Sequence, residues 1–153
     1  LNHIDGGPWQ FGDDSAPTVP TTFFAGTFCK HPLSLAAAHA ALTHLKTQGS
    51  TLQTTLNGKT IALVKRLNAF TTEANIPVRF TQFGSFFAIA LTQSQLSPLA
   101  TNLLSYHLLN SGIHLRGGDK GGFLSTAHSD SDINKIYQAF QQSLLILQQS
   151  GHI

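Results

Sequence analysis

Residues 78–91 read Val-Arg-Phe-Thr-Gln-Phe-Gly-Ser-Phe-Phe-Ala-Ile-Ala-Leu, and this stretch says more about the architecture than any other. Aromatic and β-branched residues favour strands, and an internal glycine is typical of a turn between two of them. We therefore predict two strands, over residues 78–83 and 85–91, divided by Gly84. The second strand is apolar on both faces, which predicts that it is buried. Pro77 stops any helix that arrives from upstream.

Four helices surround this hairpin in the sequence. The first is predicted to begin at Pro32 and to carry an apolar stripe, and the second to be capped by Ser50 or Thr51 and to run to about Ala74. Ser97 and Pro98 have the pattern of a cap and a first helical turn. The last helix opens with a capping box, Ser129-x-x-Asp132. Three further short strands are predicted over residues 23–25, 113–115 and 122–125. The fold class is therefore α+β, with a small antiparallel sheet covered by helices on one face.

Composition excludes several function classes. The chain has 153 residues, of which 41% are hydrophobic and only 10% are charged, so part of its surface is expected to lie in an interface. The net charge of +2 is scattered, which argues against a nucleic-acid partner. A single cysteine, Cys29, gives neither a disulfide nor a pair of metal ligands and favours a cytoplasmic location. The apolar runs are far shorter than a membrane helix of roughly 20 residues.

The segment around Gly26 and Thr27 has the most chemical content. A glycine lets an anion approach the backbone, a threonine adds a hydroxyl donor, and a helix that starts at Pro32 favours negative charge at its N-terminus. This pattern fits a phosphate-binding turn. It fits equally a plain turn before a capped helix, because Gly-Thr pairs are common in turns.

Other candidate residues are each open to a structural interpretation. Arg116 and Lys120 lie in a glycine-rich segment that fits either a basic loop at a site entrance or a solvated turn. Trp9 is either a lid aromatic or an interface anchor. His128 precedes a helix cap without a paired ligand, which favours a structural role, and Cys29 is best interpreted as a packed thiol. No Gly-x-Ser-x-Gly motif supports a hydrolase triad.

Three separated motifs resemble the class III aminotransferase family. Gly26-Thr27-Phe28, followed by Pro32 and an alanine-rich helix, is similar to that family's "GT(F/L), then NP or HP" segment. The similarity continues in Phe-Gly-Ser-Phe-Phe at residues 83–87 and in Gly-Phe-Leu-Ser-Thr-Ala-His-Ser-Asp-Ser-Asp-Ile at residues 122–133. The last motif resembles the ending of glutamate-1-semialdehyde aminomutases and of aminotransferase domains in polyketide and nonribosomal peptide synthases. The loop at residues 5–15 looks most like the synthase branch.

The resemblance implies a fold-type I enzyme that uses pyridoxal 5'-phosphate and works as a homodimer. Residues 1–31 would then belong to the large domain, and residues 32–153 would form an interdomain helix and the small C-terminal domain. Gly26 and Thr27 would bind the cofactor phosphate of the neighbouring subunit. The family's Schiff-base lysine lies upstream of the residue 5–15 loop, so we expect this chain to be a fragment that is inactive alone. The absence of an initial methionine also suggests a fragment.

The resemblance also limits the range of substrates to be expected. Many family members hold a substrate carboxylate with an arginine that has no counterpart before Phe123 here. We therefore expect an aminotransferase that acts on a β-ketoacyl chain bound to an acyl carrier protein, with Trp9, Arg116 and Lys120 as candidate substrate contacts. One alternative is a glutamate-1-semialdehyde 2,1-aminomutase, and another is a non-catalytic assembly fragment. No metal ligands are predicted.

Overall fold

The computed structural model describes residues 1–23, 25–115 and 121–153. The chain divides into two compact units, Leu1–Thr47 (the N unit) and Gln48–Ile153 (the C unit). The elements in chain order are α1 Asn2–Asp5, α2 Pro32–Gln48, α3 Ser50–Glu73, β1 Phe80–Phe83, β2 Phe86–Ile89, a short 3-10 helix Leu91–Gln93, α4 Pro98–Asn110, β3 Gly122–Phe123 and α5 Asp130–Gln149.

The predicted hairpin is confirmed and forms the centre of the C unit. Phe83 of β1 pairs with Phe86 of β2, and Gly84 makes the turn with a φ of 59° that favours glycine. β3 pairs with the other edge of β2, so the antiparallel sheet has the order β1-β2-β3. The predicted α+β class with a small antiparallel sheet is therefore confirmed.

The core lies between the inner face of this sheet and the helices of the C unit. Phe140 of α5 packs edge-on against Phe80 and Phe87, with ring centroids 5.2 Å and 6.3 Å apart. Helix α3 contacts both of the first two strands, and α5 contacts α3 and α4. Each leucine buried in this way stabilises the fold by roughly 1.5–3 kcal/mol relative to exposure. The leucines with no exposed surface are Leu63, Leu67, Leu104, Leu108, Leu144 and Leu147.

The outer face and the free edge of the sheet differ in how they are protected. On the outer face Phe83 is 87% exposed and Phe123 is 62% exposed. At the edge of β1, the side chain of Asn68 forms hydrogen bonds with both backbone polar groups of Phe80. Its Nδ2–H donates to the Phe80 carbonyl at 2.9 Å, and its Oδ1 accepts from the Phe80 N–H at 2.8 Å. Asn68 thus takes the place of a neighbouring strand at this position.

Two of the three predicted helix caps are confirmed. The Ser97 hydroxyl accepts from the Ala100 N–H at 3.1 Å, and Ser129 and Asp132 form the complete capping box of α5. The cap predicted at Ser50 or Thr51 is wrong, because both residues are already helical. The N-cap of α3 is Gly49, which has a φ of 60° and no side chain to accept a hydrogen bond.

The strand predicted over residues 113–115 is wrong, and three others are shorter than predicted. β1 and β2 cover four residues each of the predicted ranges 78–83 and 85–91. Residues 113–115 are irregular, because the Ile113 N–H donates to the Leu108 carbonyl at 2.8 Å and closes α4 instead of joining a ladder. Phe23 and Ala25 lie outside any strand, and Phe24 lies outside the described residues. β3 covers only Gly122–Phe123, after which a single bond at 2.9 Å joins the Leu124 N–H to the Ser85 carbonyl.

The N unit buries very little. Among its described residues only Gly6 and Gly7 are buried, and α2 runs its 17 residues without one buried side chain. Helix α1, which the sequence analysis did not predict, ends at Gly6, and the Gly6 carbonyl accepts from the N–H groups of Thr18 and Val19, both at 2.9 Å. In the part of the chain described here, none of the helices has the length and apolar character needed to cross a membrane.

Candidate functional site

The Gly26–Thr27 segment forms a tight turn that leads into α2. The Gly26 carbonyl accepts from the Cys29 N–H at 2.9 Å, and Lys30 adopts a left-handed conformation with a φ of 60°. A Cβ at Gly26 would lie 3.3 Å from the Cys29 sulfur, so the turn leaves little room for a side chain there. One residue, His31, separates the turn from the first residue of α2, Pro32.

This turn presents unused donors to the outside. Gly26 and Thr27 are exposed, and no described residue accepts a hydrogen bond from either N–H group or from the Thr27 hydroxyl. Oxyanions bind well to several such donors near the start of a helix. The donor set therefore fits a phosphate group in chemical character, and it fits the plain-turn interpretation as well.

Trp9 lies in a loop that folds back on α1. Its indole Nε1–H donates to the Asp5 carbonyl, and the Gly7 N–H donates to the Asp5 carboxylate at 3.1 Å. Gly6 is held against Pro17, where a Cβ would come within 2.5 Å of the proline ring. Further along the loop, hydrogen bonds from the Ser15 hydroxyl and N–H lower the pKa of Asp13 below its usual value. The loop is thus ordered by its own polar groups.

The candidate residues are brought together only in part. Trp9, Gly26 and Thr27 all lie in the N unit, but no hydrogen bond or ring contact among the described residues joins Trp9 to the turn. Arg116 and Lys120 lie outside the described residues. No group of three or more His, Cys, Asp or Glu residues in the described ranges is arranged to hold a metal ion.

The C unit contains a cleft of about 300 Å³ that the sequence analysis did not find. We call it the α4–α5 cleft, because it lies between the segment after α4, strand β3 and the first turns of α5. It combines apolar and polar side chains with two glycines. Its lining residues are Phe87, Gly112, Ile113, His114, Leu115, Gly122, Phe123, Leu124, His128, Asp132, Lys135 and Ile136.

His128 is fixed at the wall of this cleft. Its Nδ1 accepts from the Ser125 N–H at 3.0 Å and also lies 3.0 Å from the Ser125 hydroxyl oxygen. These contacts are compatible with the structural role that the sequence predicts for His128. Nearby, hydrogen bonds from the Ser129 hydroxyl and N–H lower the pKa of Asp132, and the charge of Lys135 makes a smaller contribution in the same direction.

The sequence could have supplied one clue to this cleft. His128 lies four residues before Asp132, and Asp132 lies three residues before Lys135. Residues at these spacings face the same side of a helix and of the turn that leads into it. His114 had no such signal, because its approach to these residues depends on where α4 ends.

Comparison with known proteins finds a homologous curated protein and several solved structures with the same fold. No protein-family profile matches it. It is 30% identical to glutamate-1-semialdehyde 2,1-aminomutase 2 of Oceanobacillus iheyensis, in an alignment that covers 90% of this chain and 34% of the relative. The chain thus spans about a third of that relative's length. Such partial coverage agrees with the predicted resemblance to a C-terminal part.

Solved structures share the fold. A transaminase described with PLP bound superposes with a TM-score of 0.72 at 20% identity, covering 92% of this chain and 33% of that one. A β-phenylalanine aminotransferase from Variovorax paradoxus gives a TM-score of 0.68 at 24% identity, covering 88% of this chain and 32% of that one. An omega-transaminase from Sphaerobacter thermophilus gives 0.68 at 23% identity, covering 82% and 30% of the two chains.

Proposed function

We propose that this chain, a homologue of the class III aminotransferases with the fold of fold-type I transaminases, is the C-terminal part of an enzyme that transfers an amino group with the help of pyridoxal 5'-phosphate. The supporting observation is the 30% identity to an aminomutase over 90% of the chain, together with the shared fold. The cofactor supplies an electron sink for the reacting carbon. The residues of this chain would bind and orient, while the Schiff-base lysine lies outside it.

The proposed cofactor contact is the turn at Gly26 and Thr27. Its exposed N–H groups and the Thr27 hydroxyl are unused by described residues, so they can donate to phosphate oxygens without breaking an existing hydrogen bond. The cost of dehydrating these donors is offset by charge-assisted hydrogen bonds. In the proposed homodimer, this phosphate belongs to the neighbouring subunit.

The exposed surface of the N unit supports an assembly. Phe11 is 94% exposed and Phe23 is 91% exposed, and apolar side chains of this size are costly to leave in water. We propose that residues 1–31 join the large domain and the dimer interface, and that residues 32–153 form the interdomain helix and small domain. The enzyme is proposed to work in the cytoplasm, where a chain with one cysteine needs no disulfide.

We propose a carrier-bound β-ketoacyl chain as the substrate, with Trp9, Arg116 and Lys120 near it. The support is the loop at residues 5–15, which resembles the synthase-embedded branch, and the missing arginine before Phe123. A thioester has no free carboxylate at the reacting end, and a fixed guanidinium facing it would stay unpaired at a cost. The rival activity is that of a glutamate-1-semialdehyde aminomutase, which the homologous aminomutase favours. The third candidate is an assembly fragment without catalysis.

One experiment separates these three functions. The full-length enzyme is given an amino donor and a β-ketoacyl carrier protein, and the mass of the loaded arm is measured. An amino product on the arm supports the proposal. An unchanged arm together with isomerisation of free glutamate-1-semialdehyde to aminolevulinate supports the aminomutase, and neither reaction supports the assembly fragment.

The cofactor contact is tested with Thr27→Val in the full-length enzyme. Removing a hydrogen bond to a charged group should weaken cofactor retention about tenfold. Thr21→Val is the matched control, because Thr21 is also exposed and lies in the same segment. Cofactor affinity is measured by titration of the visible absorbance. Equal affinities of the two variants would return Thr27 to the plain-turn interpretation.

A further inference from the structure

The α4–α5 cleft is a second candidate site, distinct from the proposed cofactor turn. Its base is made of the buried side chains of Phe87, Leu124 and Ile136. Its wall carries three nitrogen-bearing side chains, His114, His128 and Lys135. Binding sites for small molecules typically combine an apolar base with a few polar groups that converge on it. The volume of about 300 Å³ suits a small ligand.

The hydrogen bonds of His128 define what its ring offers to a ligand. A backbone N–H can only donate, so the Nδ1 that accepts from Ser125 at 3.0 Å carries no proton. In the neutral ring the proton then resides on Nε2. With Nδ1 occupied by Ser125, Nε2 is the ring nitrogen left for a ligand, and it is a donor.

Lys135 supplies the positive charge of the cleft. Its Nζ lies beside Gly112, where a Cβ would come to 3.5 Å from it. No described carboxylate lies within 4.0 Å of this ammonium, whereas Lys59 is paired with Asp130 at 2.8 Å. Asp132 is the acidic group of the cleft, and its Oδ2 already accepts from the hydroxyl and the N–H of Ser129, at 2.6 Å and 2.8 Å.

We propose that the α4–α5 cleft binds a small organic anion, with its oxyanion head at Lys135 and His128 Nε2 and its short apolar chain over Leu115 and the apolar base. A charged donor and a neutral donor with a fixed tautomer select an oxyanion over a cation. The apolar base selects an anion with a hydrocarbon part over a bare inorganic one. Both carboxylates and phosphate monoesters have this chemistry. The inference is independent of the proposed amino-group transfer.

The ligand class is tested by calorimetric titration of the full chain with matched six-carbon probes. Hexanoate and hexyl phosphate carry the two heads, hexylamine reverses the charge, and hexanol removes it. We expect saturable binding of at least one of the two anions, about tenfold or more stronger than that of hexylamine, hexanol, acetate or inorganic phosphate. The tighter of the two anions identifies the head. Comparable binding of hexylamine, or no saturable binding of either anion, would overturn the proposal.

The binding position of the anion in the α4–α5 cleft is tested with two variants and one control. His128→Asn keeps an acceptor for the Ser125 N–H near the place of Nδ1 and removes the Nε2 donor, while Lys135→Gln removes the charge. Each should weaken binding of the better anion by at least about fivefold. Lys65 is exposed on α3 and does not line the cleft, so Lys65→Gln should leave the binding of the anion unchanged. Thermal unfolding checks that each variant is folded.

Nuclear magnetic resonance of the imidazole nitrogens gives a second readout. We expect His128 to show the Nε2–H tautomer without ligand and its signals to move on titration with the anion. Backbone amide signals are followed in the same titration, and shifts confined to the amides of Gly26 and Thr27 would place the anion at the cofactor turn and contradict the proposal. Failure of this test leaves the proposed function intact, because the two sites share no residue.

Discussion

Gly121 lies so close to strand β2 that a side chain there has no room. A Cβ at this position would come within 2.5 Å of the Phe87 carbonyl oxygen and 3.0 Å of the Ala88 side chain. The first neighbour is backbone and cannot turn away. We expect Gly121→Ala to lower the free energy of unfolding by about 1–3 kcal/mol, as overpacking does elsewhere.

Gly58 provides the matched control for this prediction. It lies inside α3, and a Cβ there meets nothing within 4 Å. Gly58→Ala should raise the free energy of unfolding by roughly 0.5–1 kcal/mol, since alanine loses less entropy in a helix. Urea unfolding measures both variants. A stabilising Gly121→Ala would show that the strand can move aside.

The capping box of α5 should make stability depend on pH. Hydrogen bonds from Ser129 lower the pKa of Asp132 from its usual 3.8 in the folded protein. The carboxylate therefore contributes stability that is fully present above its unfolded pKa and is lost as the pH falls through the lower folded pKa. We expect the urea midpoint to fall with acidification in this range, and Asp132→Asn to flatten the fall. A parallel curve for Asp132→Asn would contradict the assignment.

At the scale of elements, the helix starts give a direct comparison between two serines. Ser97 caps α4 through the Ala100 N–H, whereas Ser50 lies inside α3 and caps nothing. Ser97→Ala should cost about 1 kcal/mol of stability, and Ser50→Ala should cost close to nothing. Thermal unfolding of the two variants checks this difference. Equal losses would mean that helix α3 starts one residue later than the structure has it.

Elements with strong local signals could be predicted from sequence. The hairpin around Gly84 and the helix opened by Ser129 and Asp132 are specified by neighbouring residues, and both are confirmed. The strand predicted over residues 113–115 is wrong, because the end of α4 takes up the Ile113 N–H. That bond depends on Gly112, which adopts a φ of 77° after the helix. The apolar run at residues 113–115 does not by itself indicate that the end of a helix will take the backbone N–H that a strand would need.

The candidate sites divide in the same way. Gly26 and Thr27 were predicted because their chemistry is contained in adjacent residues. The α4–α5 cleft was not, because His114 and Lys135 are 21 positions apart in the sequence and meet only through the packing of α4 on α5. Long-range packing of this kind leaves no short motif.

At the scale of the whole molecule, the two units should differ in local stability. Helix α5 buries several side chains in the core, whereas α2, which is described along its full length, has no buried side chain. Local opening is easy where few apolar contacts oppose it. In the 153-residue chain alone, we expect backbone amides of α2 to be protected from hydrogen exchange at least about a hundredfold less than those of α5. Mass spectrometry of exchanged peptides measures this, and equal protection would contradict it.

The amide of Asn68 has a consequence for the solubility of any excised C unit. A free strand edge offers N–H and C=O groups on which a strand from another molecule can grow, and exposed aromatics such as Phe83 would strengthen that growth. Asn68 occupies both backbone groups of Phe80, so β1 cannot be extended in register past this point. The side chain of Asn68 thus protects the sheet against edge-to-edge aggregation. A shortened or redesigned version of this domain should keep this residue.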